Sequence, residues 1–245
     1  MAAGDIIAVT GASRGIGAAI ALALARRGYR VACLSRSGAL PEGADEGTAG
    51  QLDALVCDAT DEAALRRAFA ALAARGRLAG LVNNAGIHLD GPSDRFATAE
   101  WERVMALNAT AVFVACREAF PHLVAAGGGT IVNLGSFFDK LGVKRNAAYC
   151  ASKAAVGAIT RCLAVEWAAK GIRVLDVAPG YIETDLNRDA LASGPLSAFL
   201  EKRIPAGRTG TPEQVAALVA ALFAESIPFL TGETIYIDGG QGMAH

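Results

Sequence analysis

The sequence predicts an α/β fold, a single doubly wound parallel sheet of seven strands with helices on both faces. Three observations carry that expectation. Short apolar runs alternate with stretches of helical periodicity along the whole chain, a glycine-rich turn joins the first run to the first helix, and no composition shift marks a linker or a repeat. With 245 residues and 53% hydrophobic content the chain can bury one large core. α/β chains of this length are routinely one domain, so 1–245 is read as a single unit.

Asp5-Ile6-Ile7-Ala8-Val9-Thr10 reads as a buried strand (5–10) that runs straight into Gly11-Ala12-Ser13-Arg14-Gly15-Ile16-Gly17. Glycine permits a tight turn and a close approach of phosphate to backbone, and the helix from Gly15 presents free N–H groups at its positive end. That turn is a phosphate cradle. A second strand, 30–35, ends in Ser35-Arg36, and from Ser37 to Gln51 the chain is rich in Gly, Pro and Ala with no apolar period, so the second crossover helix should be short or missing. Strand 53–57 leads to Asp58, and a helix starts at Asp61 with Thr60 as its N-cap. Strand 79–83 enters Asn83-Asn84-Ala85-Gly86, after which helical periodicity runs from Ala99 through Phe120. Strand 130–135 delivers Ser136, and a helix runs from Ala148 to Lys170. Strand 172–177 precedes Pro179-Gly180, and the segment 187–203 is expected to form a lid over a substrate. Thr211 caps a helix from Pro212 to Ala224 with proline at its first position, and strand 234–237 closes the sheet.

Composition removes several function classes. A net charge of −1 without a basic run offers no footprint for nucleic acid. No uninterrupted apolar stretch approaches a membrane span, and Met1 leads almost directly into the first strand, so no membrane partner and a cytoplasmic location are expected. Cys33, Cys57, Cys116, Cys150 and Cys162 are scattered and mostly embedded in apolar runs, which suits buried thiols rather than disulfides. His88, His122 and His245 lack ligand spacing, so no metal is expected.

Tyr149 and Lys153 stand four apart, and Ser136 lies thirteen residues before the tyrosine. A phenol with a pKa of about 10 needs a nearby cation to work at neutral pH. Lysine at i+4 of a helix shares its face. Ser136, at the carboxyl end of a strand, can hold a substrate oxygen beside the phenol. Tyr-x-x-x-Lys alone is also the pattern of an ordinary amphipathic helix, and its companions decide the reading.

Those companions are Thr10-Gly11-x-x-x-Gly15-x-Gly17, Asn83-Asn84-Ala85-Gly86, Asn108 and Pro179-Gly180 in this order. With them the chain resembles the short-chain dehydrogenase/reductase family, of Rossmann type, over nearly all its length. Ile204-Pro205-Ala206-Gly207-Arg208 and Tyr236-Ile237-Asp238-Gly239-Gly240 are most similar to its 3-oxoacyl-[acyl-carrier-protein] reductases. The resemblance implies reversible reduction of a ketone in which Ser136 binds the carbonyl oxygen, Tyr149 donates the proton, and Lys153 lowers the tyrosine pKa and binds the nicotinamide ribose. Asn108 holds a water that links Lys153 to solvent. The cofactor residues it implies are Gly11, Ser13, Arg14, Ile16, Gly17, Ser35, Arg36, Asp58, Ala59, Asn84, Ala85, Gly86, Tyr149, Lys153, Ile182 and Thr184.

Enzymes that select NAD place a carboxylate at the end of the second strand. Here Ser35-Arg36 stands there instead, with Arg14 as a second cation, so NADP(H) is expected. The resemblance implies a 3-oxoacyl thioester on acyl-carrier protein as the substrate, with a free small ketone, cyclic alcohol or sugar as the alternative. Lys170 matches one position where relatives grip an acidic carrier protein, whereas the other is Gly127; Lys144 and Arg145 could compensate or favour a small ketone, cyclic alcohol or sugar. Phe137 and Phe138 are read either as an aromatic mouth or as core. A non-catalytic dinucleotide sensor is the contrasting class, and the intact Ser136, Tyr149 and Lys153 argue against it. The resemblance further implies a homotetramer, with which the apolar Val112-Phe113-Val114-Ala115, Ala154 to Ile159 and Ile235-Tyr236-Ile237 agree.

Overall fold

Alternation along each strand divides the core into two layers. Ile7 and Val9 of β1 (Ile6–Thr10) pack under α1 (Gly15–Ala25) and α7 (Pro212–Ala224), while Ile6 and Ala8 turn to the other face. That face is covered by α3 (Glu62–Arg75), α5 (Ala111–Ala125) and α6 (Ala147–Trp167). Both faces of every central strand are therefore dry, as a parallel sheet requires. The computed structural model describes residues 2–184, 200–225 and 227–243.

The other strands are β2 (Arg30–Ser35), β3 (Leu52–Val56), β4 (Leu78–Asn83), β5 (Gly129–Leu134), β6 (Ile172–Pro179) and β7 (Thr234–Ile237). Their order is β3-β2-β1-β4-β5-β6-β7, and every pairing is parallel. The winding reverses between β1 and β4. Ligands of such sheets sit in the crevice beyond the carboxyl ends of the strands at that switch point, and the glycine-rich turn, the Asn-Asn-Ala-Gly turn and Ser136 all lie there.

Several boundaries differ from the sequence reading. The short crossover is a single turn, α2 (Glu46–Ala49), closed by a capping box between Asp45 and Thr48. Asp61, and not Thr60, caps α3, because its carboxylate accepts from the Ala64 amide at 3.0 Å while the Thr60 hydroxyl is held by Asp58 at 2.7 Å. The helix expected over 99–120 is α4 (Thr98–Met105), a π-turn (Ala106–Thr110) and α5, and it continues past Pro121. This run, Thr98–Ala125, has 28 residues and contains an 18-residue stretch with a mean hydropathy of 1.2, long and apolar enough to cross a membrane. Val112, Ala115, Cys116, Ala119 and Leu123 instead lie against the sheet. Thr211 and Pro212 start α7 as expected. Of the segment 187–203, residues 187–199 lie outside those described, and Leu200 is helical and buried.

Candidate active site

The turn after β1 is shaped by what two glycines leave out. Gly11 has φ of +67°, and a Cβ there would stand 2.9 Å from the Ala85 Cα. At Gly17 a Cβ would meet the Gly11 carbonyl oxygen at 2.2 Å. The first turn of α1 thus rests directly on the loop. Its N-terminal amides have no side-chain cap and no acidic neighbour, and Arg14 at the cap is exposed. This is a vacancy of charge suited to phosphate. Ser13, Ile16 and Thr184 border it, with the Thr184 methyl 3.8 Å from the Cβ position of Gly15.

The Asn-Asn-Ala-Gly turn fastens this cradle from the far side. Thr10 Oγ1 accepts from the Asn84 and Ala85 amides at 3.0 and 3.1 Å, and Asn84 Nδ2 donates to the Thr10 and Gly11 carbonyls at 3.1 Å each. The Asn84 side chain therefore holds the loop rather than facing outward. Ala59 and Ala85 line one narrow crevice with Thr10 and Ala111. At the end of β2, the buried Ser35 hydroxyl is taken up by Ser37 at 3.2 Å and the Gly38 amide at 3.1 Å, whereas Arg36 is exposed. The amide and hydroxyl of Thr60 hold the Asp58 carboxyl below its usual range, with Arg36 adding to this. Ile182 is buried and bridges to Gly210, so its side chain belongs to the core wall. These residues fit a dinucleotide, the glycine clearances and the uncapped helix end being made for its phosphates.

The second half of the site is built where β5 meets α6. Ser136 follows β5 and caps a short turn through the Phe138 amide at 3.3 Å. Tyr149 is half-buried one turn before Lys153 on α6, and the Lys153 Nζ lies 5.6 Å from the phenol ring centroid. Burial raises the Tyr149 pKa, and the Ser136 hydroxyl opposes that rise. Lys153 is itself buried; its Nζ donates to the Leu134 carbonyl at 2.7 Å, and burial pulls its pKa down to about 8 against the opposing pull of Asp176.

Asn108 is fully buried in the π-turn, a distortion that often marks functional sites. Its Oδ1 accepts from the Ile87 amide at 2.8 Å, and its Nδ2 donates to the Ile87 carbonyl at 2.8 Å and to Ser152 Oγ at 3.1 Å. Ser152 in turn donates to the Tyr149 carbonyl at 2.8 Å. Asn108 so joins the loop after β4 to the helix that carries Tyr149 and Lys153.

Sequence reasoning placed Phe137 and Phe138 near the site but missed His88, Tyr181 and Asp176. His88 meets the Tyr149 ring edge-on at 4.8 Å and bonds Asn146, while Phe138 stands 5.9 Å from that ring and 6.1 Å from Tyr181. Phe137 and Phe138 are buried, yet Phe138 faces the phenol, so core and mouth are the same surface. Asp176 had one visible signal, a carboxylate inside the apolar run Val174-Leu175-Asp176-Val177.

A family model described as enoyl-(acyl carrier protein) reductase matches residues 11–241. The chain is 35% identical to D-threitol dehydrogenase of Mycolicibacterium smegmatis, over 97% of this chain and 92% of that protein. It is 37% identical to a 3-oxoacyl-[acyl-carrier-protein] reductase of Vibrio cholerae, over 98% of each. The solved gluconate 5-dehydrogenase of Burkholderia cenocepacia, in complex with NADP and tartrate, superposes with a TM-score of 0.89 at 32% identity, covering 100% of this chain and 97% of the other. With the glycine cradle, the serine and the tyrosine–lysine pair all assembled at one switch point, the chain belongs to the short-chain dehydrogenase/reductase family.

Proposed function

We propose that the protein interconverts a small, free ketone and its secondary alcohol with NADP(H). The convergence of Ser136, Tyr149 and Lys153 beside an uncapped helix end carries the reading. Bound nicotinamide supplies or accepts the hydride. Ser136 orients the carbonyl oxygen, Tyr149 gives it a proton, and the Lys153 ammonium stabilises the phenolate left behind. A positioned acid of this kind contributes roughly 10²–10⁴ in rate. The choice of NADP(H) rests on exposed Arg14 and Arg36 flanking the cradle with no carboxylate at the end of β2.

Three features favour a free substrate over a carrier-bound thioester. Gly127 offers no cation, Arg145 is neutralised by Asp90 at 3.0 Å, and the polar pair His88 and Asn146 borders the phenol. The thioester reading is favoured by the 37% identity to a carrier-protein reductase and by exposed Lys170. NADPH oxidation against polyol-derived ketones, cyclic ketones and acetoacetyl thioesters separates them: the proposal expects kcat/KM to be highest on a free hydroxylated ketone, and a preference for thioesters reverses it. A cytoplasmic homotetramer completes the reading. The five cysteines are free, and Phe113 on α5 and Val165 on α6 remain 41% and 84% exposed, apolar surface suited to a second copy.

A further inference from the structure

A carboxylate stands in the middle of β6 with no exposure to solvent. Asp176 Oδ2 accepts from Thr234 Oγ1 at 3.1 Å, and Oδ1 has no hydrogen-bond partner among the described residues. Backbone has been cleared for it. A Cβ at Gly135 would lie 2.4 Å from Oδ1, and one at Gly157 would lie 3.8 Å from Oδ2. Gly135 immediately precedes Ser136, and Gly157 is one helical turn beyond Lys153. The carboxylate is therefore lodged behind the reacting groups, between the end of β5 and α6. A buried, incompletely bonded carboxylate is costly to keep, and a core of valine and leucine would have filled the space at no such cost.

Charged and titratable groups face it from each packed element. α6 brings Lys153 and Arg161, the turn after Ser136 brings Asp139, and β7 brings Thr234 and Tyr236. Tyr236 donates to Asp139 at 2.8 Å, and Lys140 Nζ lies 3.6 Å from the Tyr236 ring centroid, so Asp139 has partners of its own. Arg161 is exposed, so its charge is solvated and screened by water. Lys153 is buried and hydrogen-bonds a neutral carbonyl. It is the cation that needs a counter-charge.

We propose that Asp176 is a positioning residue of the reaction, acting through Lys153: from behind, it keeps the buried ammonium charged so that Tyr149 retains a cation beside it. The proposal rests on the catalytic reading of Lys153 given above. Burial pushes Asp176 up to about 6 and pulls Lys153 down to about 8, so both are charged between those values. Removing the carboxylate leaves desolvation of Lys153 unopposed, and the ammonium is lost at lower pH.

The test is the Lys153 titration in the cofactor-free protein labelled with 13C-lysine, followed by NMR, alongside the pH profile of NADPH-dependent ketone reduction. Asp176→Asn should move the Lys153 midpoint down by about one pH unit, the size of effect an opposite charge at close range has. The alkaline limb of kcat/KM should move with it. Thr234→Val, which removes a hydrogen bond to the ionised carboxylate, should move both in the same direction by less, and it serves if Asp176→Asn does not fold. A midpoint that stays in place in the folded variants, or activity lost equally at every pH, overturns the proposal. A displaced midpoint in a protein that reduces no ketone upholds the Asp176–Lys153 coupling and overturns instead the proposed function.

Discussion

At the level of single residues, the proposed function separates proton delivery from cofactor grip. Tyr149→Phe removes only the acid, so turnover should fall by about 10²–10⁴ or more while NADPH affinity, read by fluorescence titration, stays within about twofold. Lys153→Ala should lose both rate and affinity; loss of one alone contradicts its double role. Arg36→Asp places a negative charge where the fork of a guanidinium stood, and the ratio of kcat/KM for NADPH over NADH should fall at least tenfold. Ser136, Tyr149 and Lys153 were legible because chemistry dictates both their types and their spacing. His88 and Asp176 were not, because their meaning depends on a loop and a strand distant in sequence that the fold brings against Tyr149 and Lys153. The part of Asn84 in the turn was not legible either: its amide serves the backbone of Thr10 and Gly11, a bond that sequence order does not reveal.

Among the elements, the π-turn and α1 show why alternation alone does not locate every boundary. A helical period continues unchanged through Ala106–Thr110, so the extra residue that turns Asn108 inward leaves no trace in the apolar pattern. Asn108→Ala removes three hydrogen bonds, two of them to the Ile87 backbone. It should destabilise the protein by about 1–3 kcal/mol in chemical denaturation and lower kcat, since buried backbone groups are left unpaired. The failed assignment of Thr60 as a cap has a similar cause. Two adjacent residues can both cap, and the choice of Asp61 follows from Asp58 engaging the threonine first. The seven strands were readable, because burial on both faces demands continuous apolar runs.

For the molecule as a whole, the buried pair gives stability a pH dependence of unusual sign. Asp176 has a folded pKa near 6, above its ordinary value, so the native state binds the proton more tightly and this group favours folding as pH falls from about 6 toward 4. Asp176→Asn should therefore raise Tm at pH 7.5 and change it little at pH 4.5; an equal change at both values contradicts the raised pKa. Light scattering at micromolar concentration should give four copies, and Phe113→Lys with Val165→Lys should give fewer. The glycine cradle has a different kind of consequence. At Gly17 any side chain collides with a neighbouring carbonyl, whereas Arg36 projects into solvent and no described hydrogen bond or ion pair of the fold depends on it. If the proposed roles hold, the grip on the phosphates is frozen against drift, while the choice between the two nicotinamide currencies of the cell lies one substitution away, and lineages built on this scaffold are free to change coenzyme without relearning how to fold.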